Sequence, residues 1–282
     1  MNFTTRFPRA VLNFTHHCAL GCKWCYVPFK SSPVCKEIVI LIVERIADIG
    51  FKVITIGGGD PFQYDFIIDL LRKAKSHNLF VHVDTNGMPL RESSTNLRII
   101  ENGIDLLGLP LDGPVPEIHD LVRGHHGHFD IIMSKLRWLR HVNNKIKINT
   151  IATASNVSYL SCISEIIKMV SPSFWSIYQY WAIGPAAHEK SIYSVPKDLF
   201  IANVSQIDIH SLGKETKVEF NASESRRCTY PIIHHDGKVY VHEKFPNCSF
   251  VEIGSIFDYD IQKKIYKSCS GDRPEAVNRY VI

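Results

Sequence analysis

Three cysteines fall within eight residues, in the run His16-His17-Cys18-Ala19-Leu20-Gly21-Cys22-Lys23-Trp24-Cys25, at spacing C-x3-C-x2-C. Zinc sites usually show paired C-x2-C units and four ligands, and a dithiol redox motif needs only two cysteines. Three closely spaced thiolates suit an iron–sulfur cluster. With three protein ligands, one iron of a 4Fe–4S cube stays open for something else to bind. The competing reading is three buried structural cysteines.

These residues need elements to position them. Val11-Leu12-Asn13-Phe14 reads as a strand, so the cysteines lie on the loop leaving it. Apolar, β-branched runs predict strands at 10–15, 52–56, 79–84, 104–109, 145–152 and 174–180. Amphipathic segments at about 35–49, 62–77, 91–102, 128–143 and 157–170 predict the helices between them. Such alternation implies an α/β fold with parallel strands and right-handed crossovers. Periodicity does not say whether the sheet is open or curled.

Polar and glycine-rich runs recur at the predicted strand ends. The second strand ends in Gly57-Gly58-Gly59-Asp60-Pro61, and the third in Asp84-Thr85-Asn86-Gly87. The fourth ends in Pro110-Leu111-Asp112-Gly113-Pro114, followed by Ile118-His119-Asp120 and Arg123-Gly124. The glycine run matches neither the P-loop nor the dinucleotide fingerprint. His125, His126 and His128 read as a loop cluster, solvated or metal-binding. Asn156 reads as a helix N-cap.

With these motifs the chain resembles the radical S-adenosylmethionine superfamily, whose signature is C-x3-C-x-aromatic-C, the aromatic here being Trp24. The resemblance implies that Cys18, Cys22 and Cys25 hold a 4Fe–4S cluster and that S-adenosylmethionine chelates the open iron. One electron then releases a 5′-deoxyadenosyl radical, which takes hydrogen from a substrate. It further implies a partial (β/α)6 TIM-like barrel over about residues 8–185, with active residues at the carboxyl ends of the strands. Gly58, Gly59 and Asp60 correspond to a Gly-Gly-Glu-Pro motif that binds the methionyl amino group, with Asp60 in place of Glu. Trp24, Thr85, Asn86 and Asp112 are expected to line the cofactor site. Arg123 is the candidate for the methionyl carboxylate, because a guanidinium pairs with a carboxylate bidentately. Asn149 is expected to reach the ribose, and Gln179 to face the barrel interior. Trp175, Tyr178 and Trp181 are expected in the core.

After about residue 188 the pattern changes. The reading is a core barrel over 1–188 and a small α+β extension over 189–282. The extension resembles a degenerate SPASM or Twitch unit. Cys228, Cys248 and Cys269 are candidates for an auxiliary iron–sulfur cluster, with His242 standing where the unit has a cysteine. Imidazole replaces thiolate on iron in Rieske centres. The competing reading is a tail that lost the metal and acts as a lid. The Ile232–Val241 hairpin then covers the barrel mouth, Arg226 and Arg227 add positive charge, and Cys228 returns a hydrogen atom to the substrate radical as a catalytic thiol.

The chain has 282 residues, is 45% hydrophobic and carries a net charge of +4 without a Lys/Arg-rich run, which disfavours nucleic-acid binding. The longest aliphatic run, Ile38 to Val43, is too short to span a bilayer. The N-terminus lacks the apolar core of a signal peptide. Eight cysteines in such a chain argue for metal or redox chemistry over disulfides. The expected location is the cytoplasm. The expected partners are a peptide or small polar metabolite as substrate and a flavodoxin- or ferredoxin-type electron donor. A viperin-like nucleotide-modifying enzyme is the alternative, on the run Lys147-Ile148-Asn149-Thr150 with Trp175, Tyr178 and Gln179.

Overall fold

In the first six strands, apolar side chains alternate with a second set that is polar or small, so each strand has one face for helices and one for an interior. The computed structural model describes residues 9–28, 33–225, 230–243 and 249–269. Strands β1 (Arg9–Thr15), β2 (Val53–Gly58), β3 (Phe80–Asp84), β4 (Leu106–Pro110), β5 (Ile146–Ala152) and β6 (Phe174–Gln179) are neighbours in that order. All five pairings between them are parallel. The expected strands are therefore all present.

Helices α1 (Lys36–Ile49), α2 (Ile67–Ser76), α3 (Ser94–Gly103), α4 (Pro116–Arg123), α5 (His128–Trp138) and α6 (Leu160–Val170) lie in the connections. In α1, Val39, Ile42, Val43, Ile46 and Ile49 form one buried stripe. It packs with Ala10, Leu12, Phe14, Ile54 and Ile56 from the outer faces of β1 and β2 in one core cluster. Helix α4 was not expected; Pro116 starts it and Gly124, at φ 65°, ends it. The helix expected over 62–77 begins later, because Pro61–Gln63 forms a separate 3-10 turn.

The opposite strand faces meet inside. Val11, Thr55, Asp84, Pro110, Asn149 and Tyr178, one from each of β1 to β6, line a single cavity. A flat sheet cannot bring its first and sixth strands to one cavity, so the sheet curls into the expected partial barrel. Val53, Leu106 and Phe174, with Phe80, form a separate apolar cluster near the amino ends of their strands. They close the floor and leave the carboxyl ends open for chemistry.

The tail departs from the expected division at residue 188. Among the described residues ten strands form one sheet, in the order β10-β9-β8-β1-β2-β3-β4-β5-β6-β7. Strand β7 (Lys217–Asn221) pairs in parallel with β6, and β8 (Ile232–His234) pairs in parallel with β1. Strand β9 (Lys238–His242) returns through a turn with Gly237 at φ 85°, and β10 (Phe250–Ser255) follows antiparallel. The hairpin expected as a lid instead extends the sheet. Unpaired strand edges attract in-plane partners, and the tail covers both edges of the six-stranded unit. Phe200 and Val204 of α7 (Lys197–Val204), and Ile261 and Ile265 of α8 (Ile261–Ser268), also join the main core.

A fragment ending at residue 188 should therefore fail as an independent domain. The expected outcome is aggregation on size exclusion and no cooperative urea transition, against a single transition for the full chain. A soluble, cooperatively unfolding fragment would restore a boundary there.

Candidate active site

The cavity has a volume of about 310 Å³ and opens beside the loop that carries the three cysteines. Cys18, Cys22 and Cys25 are free thiols that line this cavity and also a shallower opening with His17, Gly21 and Lys23. Burial raises the pKa of Cys18 and of Cys22 and pushes Cys25 up to about 12. In this pocket the thiolates need positive charge, which iron supplies while displacing the protons. Among the described residues no three His, Cys, Asp or Glu side chains converge as they would on one metal ion. A 4Fe–4S cube would fit this arrangement, because each of the three thiolates would bind a different iron.

The end of α4 anchors the cysteine loop. Trp24 Nε1 donates to Val122 O at 2.7 Å, and Cys22 Sγ lies 3.5 Å from Arg123 O. These carbonyls belong to the last turn of a helix, where acceptors lack intrahelical partners. On the other side the loop meets the glycine turn after β2. Gly59 N donates to Thr15 O at 2.6 Å and Asp60 N to His17 O at 3.0 Å. A Cβ on Gly59 would lie 1.7 Å from His17 O, so the two backbones approach only because the side chain is absent.

Asp60 does not line the cavity, where the resemblance places it. Its side chain is fully buried. Oδ1 accepts from Phe62 N at 3.0 Å, and Oδ2 accepts from Thr85 Oγ1 at 2.8 Å and from Asn86 N at 2.7 Å. Burial pushes its pKa up to about 6, against these three donors. Asp60 thus joins the glycine turn to the turn after β3. That turn carries Thr85 and Asn86, both lining the cavity. Asn86 Nδ2 donates to Cys18 Sγ at 3.2 Å.

Arg123 lines the cavity, with its guanidinium 4.7 Å from the centre of the Trp24 ring. Its Nε donates to Asp112 Oδ2 at 2.5 Å. Asp112 is fully buried behind it, accepts from Ile151 N at 2.7 Å and does not reach the cavity. Asp112 therefore orients Arg123 and is a correction to its expected place in the cofactor site. Asn156, expected as an N-cap, belongs to the same assembly: its Nδ2 donates to Asp112 O at 2.7 Å and its Oδ1 accepts from Thr153 N at 2.7 Å.

On the inner strand faces, Asn149 Nδ2 donates to Asp84 Oδ1 at 2.8 Å, crossing β4 at Gly108. A Cβ on Gly108 would lie 2.0 Å from Asp84 Oδ1. Asn149 Oδ1 is a buried acceptor without a hydrogen-bond partner among the described residues, beside the cavity. A hydroxyl of a bound ligand would satisfy it. Burial alone would raise Asp84, but His82 with Nε2 at 3.1 Å, Lys147 and the Asn149 amide outweigh it and hold the carboxyl below its usual range. Lys147 Nζ donates to Tyr178 Oη at 3.0 Å, and Arg9 sits 4.1 Å over the Tyr230 ring. Arg9 and His82 were not expected in the site, and Asp84 and Lys147 were expected only as parts of the runs Asp84–Gly87 and Lys147–Thr150. Their signal is a polar side chain at the inward positions of an otherwise apolar strand, as in Phe80-Val81-His82-Val83-Asp84.

Gln179 does not face the interior. Its Nε2 donates to Val195 O at 2.7 Å and its Oε1 accepts from Ser223 N at 2.9 Å, which ties β6 to the tail. Trp175 is core as expected, whereas Tyr178 and Trp181 line the cavity. His128 is not in a solvated loop; it is fully buried at the start of α5. Cys269 packs in the main apolar core, away from the cavity, and His242 lines the cavity. Arg226, Arg227, Cys228 and Cys248 lie outside the described residues.

A sequence profile described as the Radical SAM superfamily matches residues 12–154. An AdoMet-dependent heme synthase of Oleidesulfovibrio alaskensis is 27% identical over 177 residues, which are 61% of this chain and 45% of that protein. A PqqA peptide cyclase of Rhizobium meliloti is 25% identical over 57% of this chain and 44% of its own length. The chain thus spans about half the length of these relatives. An S-adenosylmethionine-dependent nucleotide dehydratase of Flammeovirga pacifica is 23% identical over 260 residues, 87% of this chain and 85% of that protein. Among solved structures, anSMEcpe with bound AdoMet and Cp18Cys peptide superposes with a TM-score of 0.71 at 17% identity, over 93% of this chain and 82% of that one. Streptococcus suis SuiB bound to S-adenosylmethionine gives 0.67 at 16% identity, over 83% and 60%. These structural likenesses speak for the fold alone. No helix among the described residues is long and apolar enough to cross a membrane.

Two expectations follow for the iron-free protein. Asp60→Asn turns an amide donor toward backbone or hydroxyl donors and should cost about 1–3 kcal/mol. In the parent, Asp60 has a folded pKa of about 6, above the unfolded carboxyl near ~3.9. The folded state then binds the extra proton, so the parent gains stability relative to Asp60→Asn as pH falls from 6 to 4. Urea titrations at both pH values check the sign. Arg123→Met leaves the Asp112 carboxylate buried without its counter-ion and should cost about 3–5 kcal/mol. Removing the carboxylate as well, in Arg123→Met/Asp112→Leu, should recover part of that loss; an Arg123→Met protein of parental stability would mean that the pair carries no weight.

Proposed function

Because this chain belongs to the radical S-adenosylmethionine superfamily, whose enzymes use a 4Fe–4S cluster and S-adenosylmethionine, we propose that it takes hydrogen from a small anionic metabolite of the nucleotide class held in the barrel cavity. Cys18, Cys22 and Cys25 would hold the cluster, and Arg123 would meet the carboxylate of S-adenosylmethionine. When bound, the two cofactors supply a 5′-deoxyadenosyl radical as the hydrogen-abstracting agent. The protein's part is to orient the reactive carbon and to keep water out.

The observation that carries the substrate class is the charge inside the barrel. Among the described residues that line the cavity, Arg9 and Lys147 stand with one carboxylate, Asp84, while Arg123 is paired with Asp112 behind it. Lys147 is 1% exposed, donates to Tyr178 Oη and helps hold the Asp84 carboxyl ionised, so its charge is anchored in the cavity wall. An anionic substrate would find these cations lining the cavity, while Asn149 Oδ1 would accept from a hydroxyl. The match to the nucleotide dehydratase supports the same reading, since it covers 87% of this chain against 61% and 57% for the other two relatives described. The PqqA peptide cyclase match supports a peptide substrate instead, but it covers 57% of this chain.

The test uses anaerobically reconstituted protein with dithionite. Iron should be lost in Cys18→Ala, Cys22→Ala and Cys25→Ala, with loss of the brown chromophore. Ribonucleotides should stimulate 5′-deoxyadenosine release in the parent. Lys147→Met should weaken binding of the active nucleotide by at least about tenfold, as loss of a charge-assisted contact costs about 1.5–3 kcal/mol. Stimulation by a peptide and by no nucleotide would overturn the substrate class.

A further inference from the structure

Two fully buried histidines lie between Asp112 and the turn after β3 that carries Asn86, and no step above uses them. His119 is on α4 and His128 opens α5; both are 0% exposed. Their ring centroids lie 5.0 Å apart and their planes 18° apart. Asp112 N donates to His119 Nδ1 at 3.0 Å. His119 Nε2 lies 2.8 Å from His128 Nδ1, and His128 Nε2 lies 2.8 Å from Asn86 O.

Backbone groups at both ends fix the tautomers. A peptide N–H can only donate, so His119 Nδ1 is bare and its Nε2 carries the proton. A peptide C=O can only accept, so His128 Nε2 carries a proton and its Nδ1 is bare. The middle contact is then His119 Nε2–H donating to His128 Nδ1. Every ring nitrogen is satisfied, and the chain runs one way, from Asp112 to Asn86. Burial holds both rings neutral, pushing His119 down to about 2 and His128 down to about 4.

The chain ends on the residue that touches a cysteine sulfur. Asn86 N donates to Asp60 Oδ2 at 2.7 Å, and its Oδ1 accepts from Met88 N at 2.8 Å. The second contact fixes which end of the amide faces Cys18, leaving Nδ2 as the donor to Sγ at 3.2 Å. Helix α5 presses on the same turn, since a Cβ on Gly87 would lie 2.9 Å from Ile132 Cδ1.

We propose that His119 and His128 are positioning residues for the iron–sulfur cluster: their hydrogen-bond chain holds the Asn86 amide against Cys18 Sγ and so raises the cluster's reduction potential. Reduction adds negative charge that spreads onto the sulfurs, and an N–H aimed at a sulfur stabilises that charge. The chain also joins the Arg123–Asp112 pair to a cluster ligand, so both halves of the cofactor site share one rigid frame. The proposal rests on Cys18 holding the cluster.

The experiment is an EPR-monitored redox titration of reconstituted full-length protein, with iron and sulfide counted in every sample. His128→Leu should shift the reduction equilibrium about tenfold toward the oxidised cluster, about 59 mV for one electron. His128→Gln, whose Nε2 keeps a donor for Asn86 O, should stay near the parent. In an Asn86→Ala background His128→Leu should have no further effect. A fully loaded His128→Leu protein with the parental midpoint overturns the proposal, as does an equal shift in the Gln variant or a shift that survives in Asn86→Ala. If His128→Leu does not fold, His119→Asn is measured instead; it keeps the acceptor for Asp112 N but cannot reach His128, and the same shift is expected, with an unshifted midpoint overturning the proposal. A Cys18→Ala protein that keeps its cluster would fail the premise, whereas an unshifted midpoint in a protein that needs Cys18 for iron fails the proposal alone.

Discussion

One buried carboxylate joins the loops on which the site depends. Asp60 accepts from Phe62 N, Thr85 Oγ1 and Asn86 N, while its own N–H donates to the cysteine loop at His17 O. The loops after β1, β2 and β3 are thus fixed to each other at one residue by direct hydrogen bonds. An isolated carboxylate at 0% exposure is costly, and three donors are what make it tolerable. Aspartate reaches all three, and its distance from the cavity follows from that task.

The barrel turns the two-residue period of its strands into a division of labour. Outward side chains such as Leu12, Ile54, Val83 and Ile148 build the core against the helices. Inward side chains such as Thr55, His82, Asp84 and Lys147 build the cavity. The apolar cluster of Val53, Leu106 and Phe174 closes one end, so polar groups at the other end interact in a medium that strengthens them. Glycine matters where backbones must touch, at Gly59 against His17 and at Gly108 under the Asp84–Asn149 contact. The tail shares this frame, with β7 and β8 covering the two edges of the six-stranded unit.

Two carboxylates of the site, Asp112 and Asp60, do not line the cavity and act from behind residues that do, whereas Asp84 lines it. Asp112 stands behind Arg123, and Asp60 behind Thr85 and Asn86. A cation that lines the cavity while its counter-ion stays buried keeps its position with or without a ligand. The His119–His128 chain extends the same construction to the sulfur of Cys18 through neutral groups.

By itself the sequence determined the parts of this protein that depend on local order. The C-x3-C-x2-C spacing, the six strands and the crossover helices were legible because alternation and helical periodicity report which face of each element is buried. The motifs at the strand ends were legible as a set, and the structure brings Trp24, Gly58, Gly59, Thr85, Asn86, Arg123 and Asn149 to one cavity with the three cysteines. Tertiary structure alone decided which way a polar side chain turned at the end of its strand. Asp60, Asp112 and Gln179 sit in motifs that read as ligands, yet each turns away to satisfy backbone donors or carbonyls contributed by other elements. The tail likewise read as a separate unit, because in-plane pairing of β7 with β6 and of β8 with β1 joins residues more than 40 and more than 200 positions apart. Sequence periodicity reports a buried face, but it does not name the partner that buries it. That partner is chosen by the curl of the sheet, which brings distant strand ends within hydrogen-bonding distance of one another.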